Sequence, residues 1–178
     1  MEVKNQPCHY ILAIDPSGNF NEGKGTTGWI LLNQKTKKIE KFGEIDASTF
    51  SNQEIYWDAH IDLIKQINKR YKHMHLVVED YLLYAAQANS QINSRMETPK
   101  LIGVIQYYAW QNRIPLQFQT ASSVQRRWSD YILDRKGYLK SVKHGSGYRH
   151  YIGNVLVHNH IKDALRHAVH YATFHVKN

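Results

Sequence analysis

The stretch His9-Tyr10-Ile11-Leu12-Ala13-Ile14-Asp15-Pro16-Ser17-Gly18 decides the fold. From His9 to Asp15 it reads as a short buried strand: apolar side chains run on until a carboxylate, and Pro-Ser-Gly then turns the chain. A glycine-rich loop, Asn19 to Gly25, leads to a second strand, Thr26 to Asn33. A third, Lys38 to Ile45, follows a polar turn. Strands joined by such short connections form an antiparallel meander.

Downstream the period changes. Ser51 or Asn52 can cap a helix running to about Tyr71, with Trp57, Ile61, Ile64 and Tyr71 as its apolar stripe. His75 to Glu79 is a compact strand that again ends in a carboxylate. Thr98-Pro99 opens a second helix with core face Leu101, Ile102, Ile105, Tyr108 and Ala109. Pro115 to Gln119 is a fifth strand, and Ser122 or Ser123 can cap a basic turn. Gly137 to Asn159 reads as loop, and a last helix spans about His158 to His175. Strands joined through helices add in parallel. The expectation is one α/β domain, residues 1–178, with a mixed five-stranded sheet flanked by helices.

Composition sets the function class. At 178 residues the chain is long enough to bury a core of its own, and Cys8 is its only cysteine, which excludes a disulfide scaffold. The apolar runs, such as Tyr10 to Ile14, are too short to span a bilayer, and Met1 to Pro7 lacks the apolar segment of a signal peptide. A cytoplasmic protein is expected. The net charge of +8 and pI near 9.5 favour a polyanionic partner. From Arg135 to Asn178, eight Lys and Arg stand against one carboxylate, Asp163.

Asp15 and Glu79 both end buried strands, where ligands of α/β sheets collect, although such acids also serve as turn formers. On the last helix, Ile161, Ala164, Leu165, Ala168 and Ala172 make an apolar stripe, and His160, Asp163, His167 and His170 make a polar one. Small alanines let this helix lie close to the sheet and bring Asp163 to the two strand ends. Three converging carboxylates repel one another unless divalent cations lie between them. Hard oxygen ligands suit Mg²⁺, with Mn²⁺ as substitute, and two such ions per site can cleave a phosphodiester with water.

Ile11 to Gly18 with Gly28-Trp29-Ile30, then Leu76-Val77-Val78-Glu79-Asp80-Tyr81, then His160-Ile161-Lys162-Asp163-Ala164-Leu165-Arg166-His167-Ala168 resemble, in order and spacing, the acidic motifs of RuvC-like Holliday-junction resolvases. These belong to the RNase H-like nuclease superfamily, and phage-type members look closer. The resemblance spans nearly the whole chain. It implies an RNase H-like fold and a homodimeric endonuclease that resolves branched DNA in the host cytoplasm, leaving 5′-phosphate and 3′-hydroxyl ends. Asp15 would bridge two metals, Glu79 would bind one and Asp163 the other. His160, where the family often has an acid, or His167 would be the fourth ligand; His167 is alternatively a partner holding Asp163. Where many members have a lysine after the fifth strand, this chain has Gln125 beside Arg126 and Arg127.

Other residues are expected on DNA. Arg126, Arg127, Lys140, Lys143, Arg149, Lys162 and Arg166 would hold phosphates, and Tyr81, Leu82, Leu83 and Tyr84 would form an apolar wedge at the junction or pack under the second helix. The dimer surface is expected on the helix around Thr98 to Asn112. No nucleotide cofactor is expected, since no P-loop motif is present, and the histidine spacing matches no zinc finger. The alternatives are an RNase H-like nuclease acting on RNA–DNA hybrids or flaps, and a basic DNA-binding module without chemistry.

Overall fold

The computed structural model describes residues 7–21, 23–82 and 96–176. Five strands form the main sheet: β1 (Tyr10–Asp15), β2 (Thr26–Asn33), β3 (Ile39–Asp46), β4 (Met74–Asp80) and β5 (Leu116–Thr120). Their spatial order is β3-β2-β1-β4-β5. The first three pair antiparallel, and β4 and β5 add parallel to β1. This is the expected mixed sheet.

Two layers of helices sandwich it. On one face lie α1 (Gln53–Arg70) and α2 (Glu97–Gln111), packed on Leu12, Ile14, Leu31, Leu76 and Val78. On the other lie α3 (Ala121–Gln125), α4 (Asp130–Arg135) and α5 (Asn159–Phe174), packed on Ile11, Ala13, Ile30, Leu32 and Val77. Alternation along β1 thus splits the core: even positions face α1 and α2, odd positions face α5. The predicted apolar stripe of α5 is buried throughout. Each fully buried Leu or Ile on such a face contributes roughly 1.5–3 kcal/mol.

Two readings of the sequence are corrected. The segment Gly137 to Asn159 is not loop; it holds a second, three-stranded antiparallel sheet of β6 (Lys140–His144), β7 (Gly147–Ile152) and β8 (Val155–Val157). Gly145 and Gly153 supply the positive φ its tight turns need, at +59° each. In α1 the buried face is Tyr56, His60, Ile64 and Ile67, so the helix is turned by about one residue from the predicted stripe. Asn52 does cap it, its side chain accepting from Ile55 N at 2.8 Å. Among the described residues no helix is long and apolar enough to cross a membrane.

Candidate active site

Strand parity places the first two carboxylates. Asp15 shares the face of Ile11 and Ala13, and Glu79 the face of Val77, so both point toward α5 at the C-terminal ends of neighbouring strands. The parallel register pairs Ala13 with Val77 and Ile14 with Val78, which brings Asp15 beside Glu79. Across β2, Asp15 pairs with Gly28. A Cβ on Gly28 would stand 2.1 Å from the His160 carbonyl carbon and 2.5 Å from Ile161 N. The bare glycine is therefore the seat on which the first turn of α5 rests, and that contact delivers His160, Asp163 and His167 to the strand ends.

Each carboxylate meets a nitrogen donor from α5. His160 Nδ1 donates to Asp15 Oδ2 at 2.8 Å. His167, 1% exposed, places Nε2 2.8 Å from Glu79 Oε2 and Nδ1 3.0 Å from Gln119 Oε1. Asp163 accepts from Arg166 Nη1, one turn on. His167 thus holds Glu79 and not, as the alternative reading had it, Asp163. Burial pushes the Asp15 carboxyl up to about 6; the His160 hydrogen bond opposes this, and the charges of Glu79 and Asp163 add to it. His160 is raised in turn, chiefly by its hydrogen bond to Asp15.

The loop after Asp15 is tied down from both sides. Ser17 N donates to Thr27 Oγ1 at 3.0 Å, and Tyr56 OH donates to the Ser17 carbonyl at 2.5 Å. Fully buried His60 lies 2.7 Å from the Tyr56 carbonyl through Nδ1 and 2.9 Å from Thr27 Oγ1 through Nε2. Its ring therefore donates at Nδ1 and accepts at Nε2. Burial lowers its pKa to about 4, so it stays neutral. Gly18 N donates to Thr98 Oγ1 at 3.0 Å, while Asn21 donates from backbone and side chain to Glu97, which is 3% exposed. The start of α2 thereby fixes the loop that follows Asp15.

Among the described residues no three His, Cys, Asp or Glu side chains meet at metal-ligating distance. The donor set nevertheless fits a hard divalent cation. It is made of carboxylates and imidazoles with no thiolate, and the Asp15 carboxyl, 8% exposed, is raised first by its burial and further by the charges of Glu79 and Asp163.

No family model matches the chain, and no curated protein matches it. Among solved structures, T. thermophilus RuvC in complex with Holliday junction substrate is similar with a TM-score of 0.64 at 13% identity, over 93% of this chain and 94% of that one. A second Thermus thermophilus RuvC structure is similar with a TM-score of 0.58, at the same identity and coverage. The fold is RuvC-like. At this identity the likeness is one of fold.

The remaining expected site residues distribute over the RuvC-like fold unevenly. Arg126 and Arg127 are exposed beyond α3, with the Arg127 guanidinium 4.6 Å from the Phe174 ring centre. Lys140, Lys143 and Arg149 are exposed on the three-stranded sheet. Lys162 and Arg166 are not free surface cations: Lys162 is 7% exposed and donates to Asp130 Oδ2 at 2.8 Å, and Arg166, partly buried, donates to Asp130 as well as to Asp163. Their charge is spent internally. Leu82 is 36% exposed and Tyr81 packs on the α1–α2 core, while Leu83 and Tyr84 lie outside the described residues. Asp130, Gln119, Thr27 and His60 were not singled out from the sequence. Gln119 was within reach, because it closes the predicted strand Pro115 to Gln119 and pairs in register with Glu79. Asp130 sits in a short helix with no apolar period to announce it.

Proposed function

We propose that the chain is a metal-dependent endonuclease that resolves branched DNA, four-way junctions above all, by hydrolysing phosphodiesters. The observation that carries this reading is geometric: Asp15 and Glu79 stand on adjacent strand ends facing α5, and that helix bonds Asp15 through His160 and Glu79 through His167, with Asp163 between the two histidines. These three would hold Mg²⁺ or Mn²⁺, with His160 as the nitrogen donor nearest Asp15. When bound, the ions would activate water and neutralise charge on the leaving oxygen.

The chain's own groups do the rest. Asp15, with one face in the protein and its proton held up to about 6, is ionised and ready for a cation at neutral pH. His160, half-buried and 2.8 Å from Asp15, is placed to hold or pass a proton at Nδ1. His167 fixes the Glu79 carboxylate from behind, anchored by Gln119. Leu82, 36% exposed three residues after Glu79, would meet the junction beside this centre.

Substrate binding falls to exposed basic residues around the site. On one face of the three-stranded sheet the register aligns Lys140, Val142, Arg149 and Tyr151, and on the other exposed Lys143 lies opposite exposed Tyr148. Cations alternating with aromatic and aliphatic side chains suit a backbone with unstacked bases. T. thermophilus RuvC has been seen with a Holliday junction substrate, which supports DNA as the partner here. Paired cuts need two sites related by a two-fold axis. The outer face of α2, with Tyr107 61% and Trp110 71% exposed, is the surface we assign to the homodimer. Incubation with junctions, flaps, RNA–DNA hybrids and linear duplex in Mg²⁺, Mn²⁺ or EDTA tests the reading. Preferred cutting of hybrids would redirect it to another nuclease class, and binding without cutting in any metal would reduce it to a DNA-binding module.

A further inference from the structure

The third carboxylate of the site is already engaged by a cation. Arg166 donates from Nη1 to Asp163 Oδ1, from Nη2 to Asp130 Oδ1, and from Nε to the Trp128 carbonyl at 3.0 Å. Asp130 divides its oxygens: Oδ1 serves Arg166, while Oδ2 accepts from Lys162 Nζ at 2.8 Å and lies 3.2 Å from His150 Nε2. Burial works against an ionised Asp130, yet Lys162, Arg166 and His150 outweigh it and hold the carboxyl below its usual range. The network continues outward. His150 Nδ1 lies 3.1 Å from Ser141 Oγ, and Ser141 N donates to Asp134 at 2.8 Å, so β7 reaches Asp130 through His150 while β6 is held by Asp134 and by that same histidine.

Resting on the metal-binding reading of Asp163, we propose that Arg166 is a place-holding cation for that carboxylate and that Asp130 is the anchor that lets it withdraw. A guanidinium bound through three nitrogens to three acceptors can surrender one and remain in place. Without a divalent cation, Nη1 covers Asp163 and limits its repulsion of Asp15 and Glu79. With one, Arg166 gives up Asp163 and keeps Asp130 and the Trp128 carbonyl. Lysine cannot do this, because a single ammonium has no planar fork to span both carboxylates. Arg166 and Asp130 are therefore positioning residues. They tune how readily Asp163 is released, and through His150 and Ser141 they tie that release to the seating of the three-stranded sheet.

The test is Mn²⁺ binding without DNA, followed by calorimetry and by the electron paramagnetic resonance signal of the free ion. Folding of each variant is checked by thermal melting in EDTA. Arg166→Gln should bind Mn²⁺ roughly three- to tenfold more tightly than the parent, since a competing positive charge is gone. Asp130→Asn should bind more weakly, because Arg166 then concentrates on Asp163. In the double variant the Asp130 effect should vanish. If Arg166→Gln does not fold, Arg166→Met, which keeps an aliphatic stem and removes the charge, serves with the same gain expected. Parental or weaker affinity in the folded Arg166 variants overturns the place-holder role. Asp163→Asn separates the two levels. If it leaves Mn²⁺ affinity unchanged, Asp163 is not a ligand and both readings fall; if it weakens binding while the Arg166 variants are neutral, only the place-holder role falls.

Discussion

The backbone of His160 lies directly on Gly28: a Cβ there would come within 2.2 Å of the His160 carbonyl oxygen. Because Gly28 is the cross-strand partner of Asp15, the same contact that seats α5 also sets the 2.8 Å bond between His160 and Asp15. Packing and site geometry are one feature at this point.

Gly28→Ala should therefore cost stability and activity together. The clash is with backbone, which cannot rotate away, so α5 must shift; overpacking of this kind costs about 1–3 kcal/mol or more. Cleavage should fall at least about tenfold, since displacements of an ångström disturb reacting geometry. Gly103 is the control: it is exposed in α2, and a Cβ there meets nothing within 4 Å. Gly103→Ala should gain about 0.5–1 kcal/mol. Urea unfolding of both variants and a junction-cleavage assay on Gly28→Ala check the seat. A neutral Gly28→Ala would contradict the seat.

In EDTA, Asp15→Asn should remove a pH dependence of stability. The folded-state pKa of about 6 lies above the ordinary 3.8. Between these values the folded state holds a proton that the unfolded chain has lost, so the metal-free protein loses stability as pH rises through that window. The full shift corresponds to up to about 3 kcal/mol. At pH 7 without metal, Asp15→Asn should be more stable than the parent, and at pH 4 the two should be alike. Equal stability at both pH values would show that neither burial nor the neighbouring carboxylates raise the Asp15 carboxyl.

His60 acts in the opposite direction. Its folded-state pKa of about 4 lies below the ordinary 6.5, so the unfolded state takes up the proton first and stability is lost as pH falls from about 6.5 toward 4. In the metal-free parent the two slopes offset each other over much of this range. His60→Gln should flatten the acid limb and cost about 1–3 kcal/mol near neutrality through the disturbed Thr27–Tyr56 network. Equilibrium unfolding at several pH values measures both.

What was legible in the sequence follows from the physics that wrote it. The continuous apolar run of β1 ending in Asp15, the Leu76-Val77-Val78-Glu79 strand and the alanine stripe of α5 are buried features, and their pattern survives to be read. The three-stranded sheet was missed because most of its side chains are exposed, leaving no alternation of apolar and polar residues. The face of α1 was misread because its deepest positions include His60 and the hydroxyl-bearing Tyr56, which satisfy their polar atoms internally. Lys162 and Arg166 were over-read as DNA contacts for a similar reason. Residue counts show Lys162 and Arg166 but not Asp130, 32 and 36 residues earlier, which takes up their charge.

Salt dependence separates surface from interior cations. Lys143→Gln and Arg149→Gln should each weaken junction binding and lower the slope of log K against log salt by about 0.7–0.9. Lys162→Gln should leave the slope unchanged and lower the melting temperature instead, since its ammonium serves Asp130. Binding titrations at several salt concentrations decide, and a full unit of slope lost at Lys162 would put that residue back on the DNA.

Asp15, Glu79 and Asp163 are proposed to form a metal-dependent cutting site for branched DNA. The most direct measurement is cleavage of a synthetic four-way junction by the parent and by Asp15→Asn, side by side in Mg²⁺ and in EDTA. The parent should cut in Mg²⁺ and not in EDTA, while Asp15→Asn binds the junction and cuts at least about a thousandfold more slowly. Cutting by Asp15→Asn at the parental rate, or by the parent in EDTA, would contradict the account.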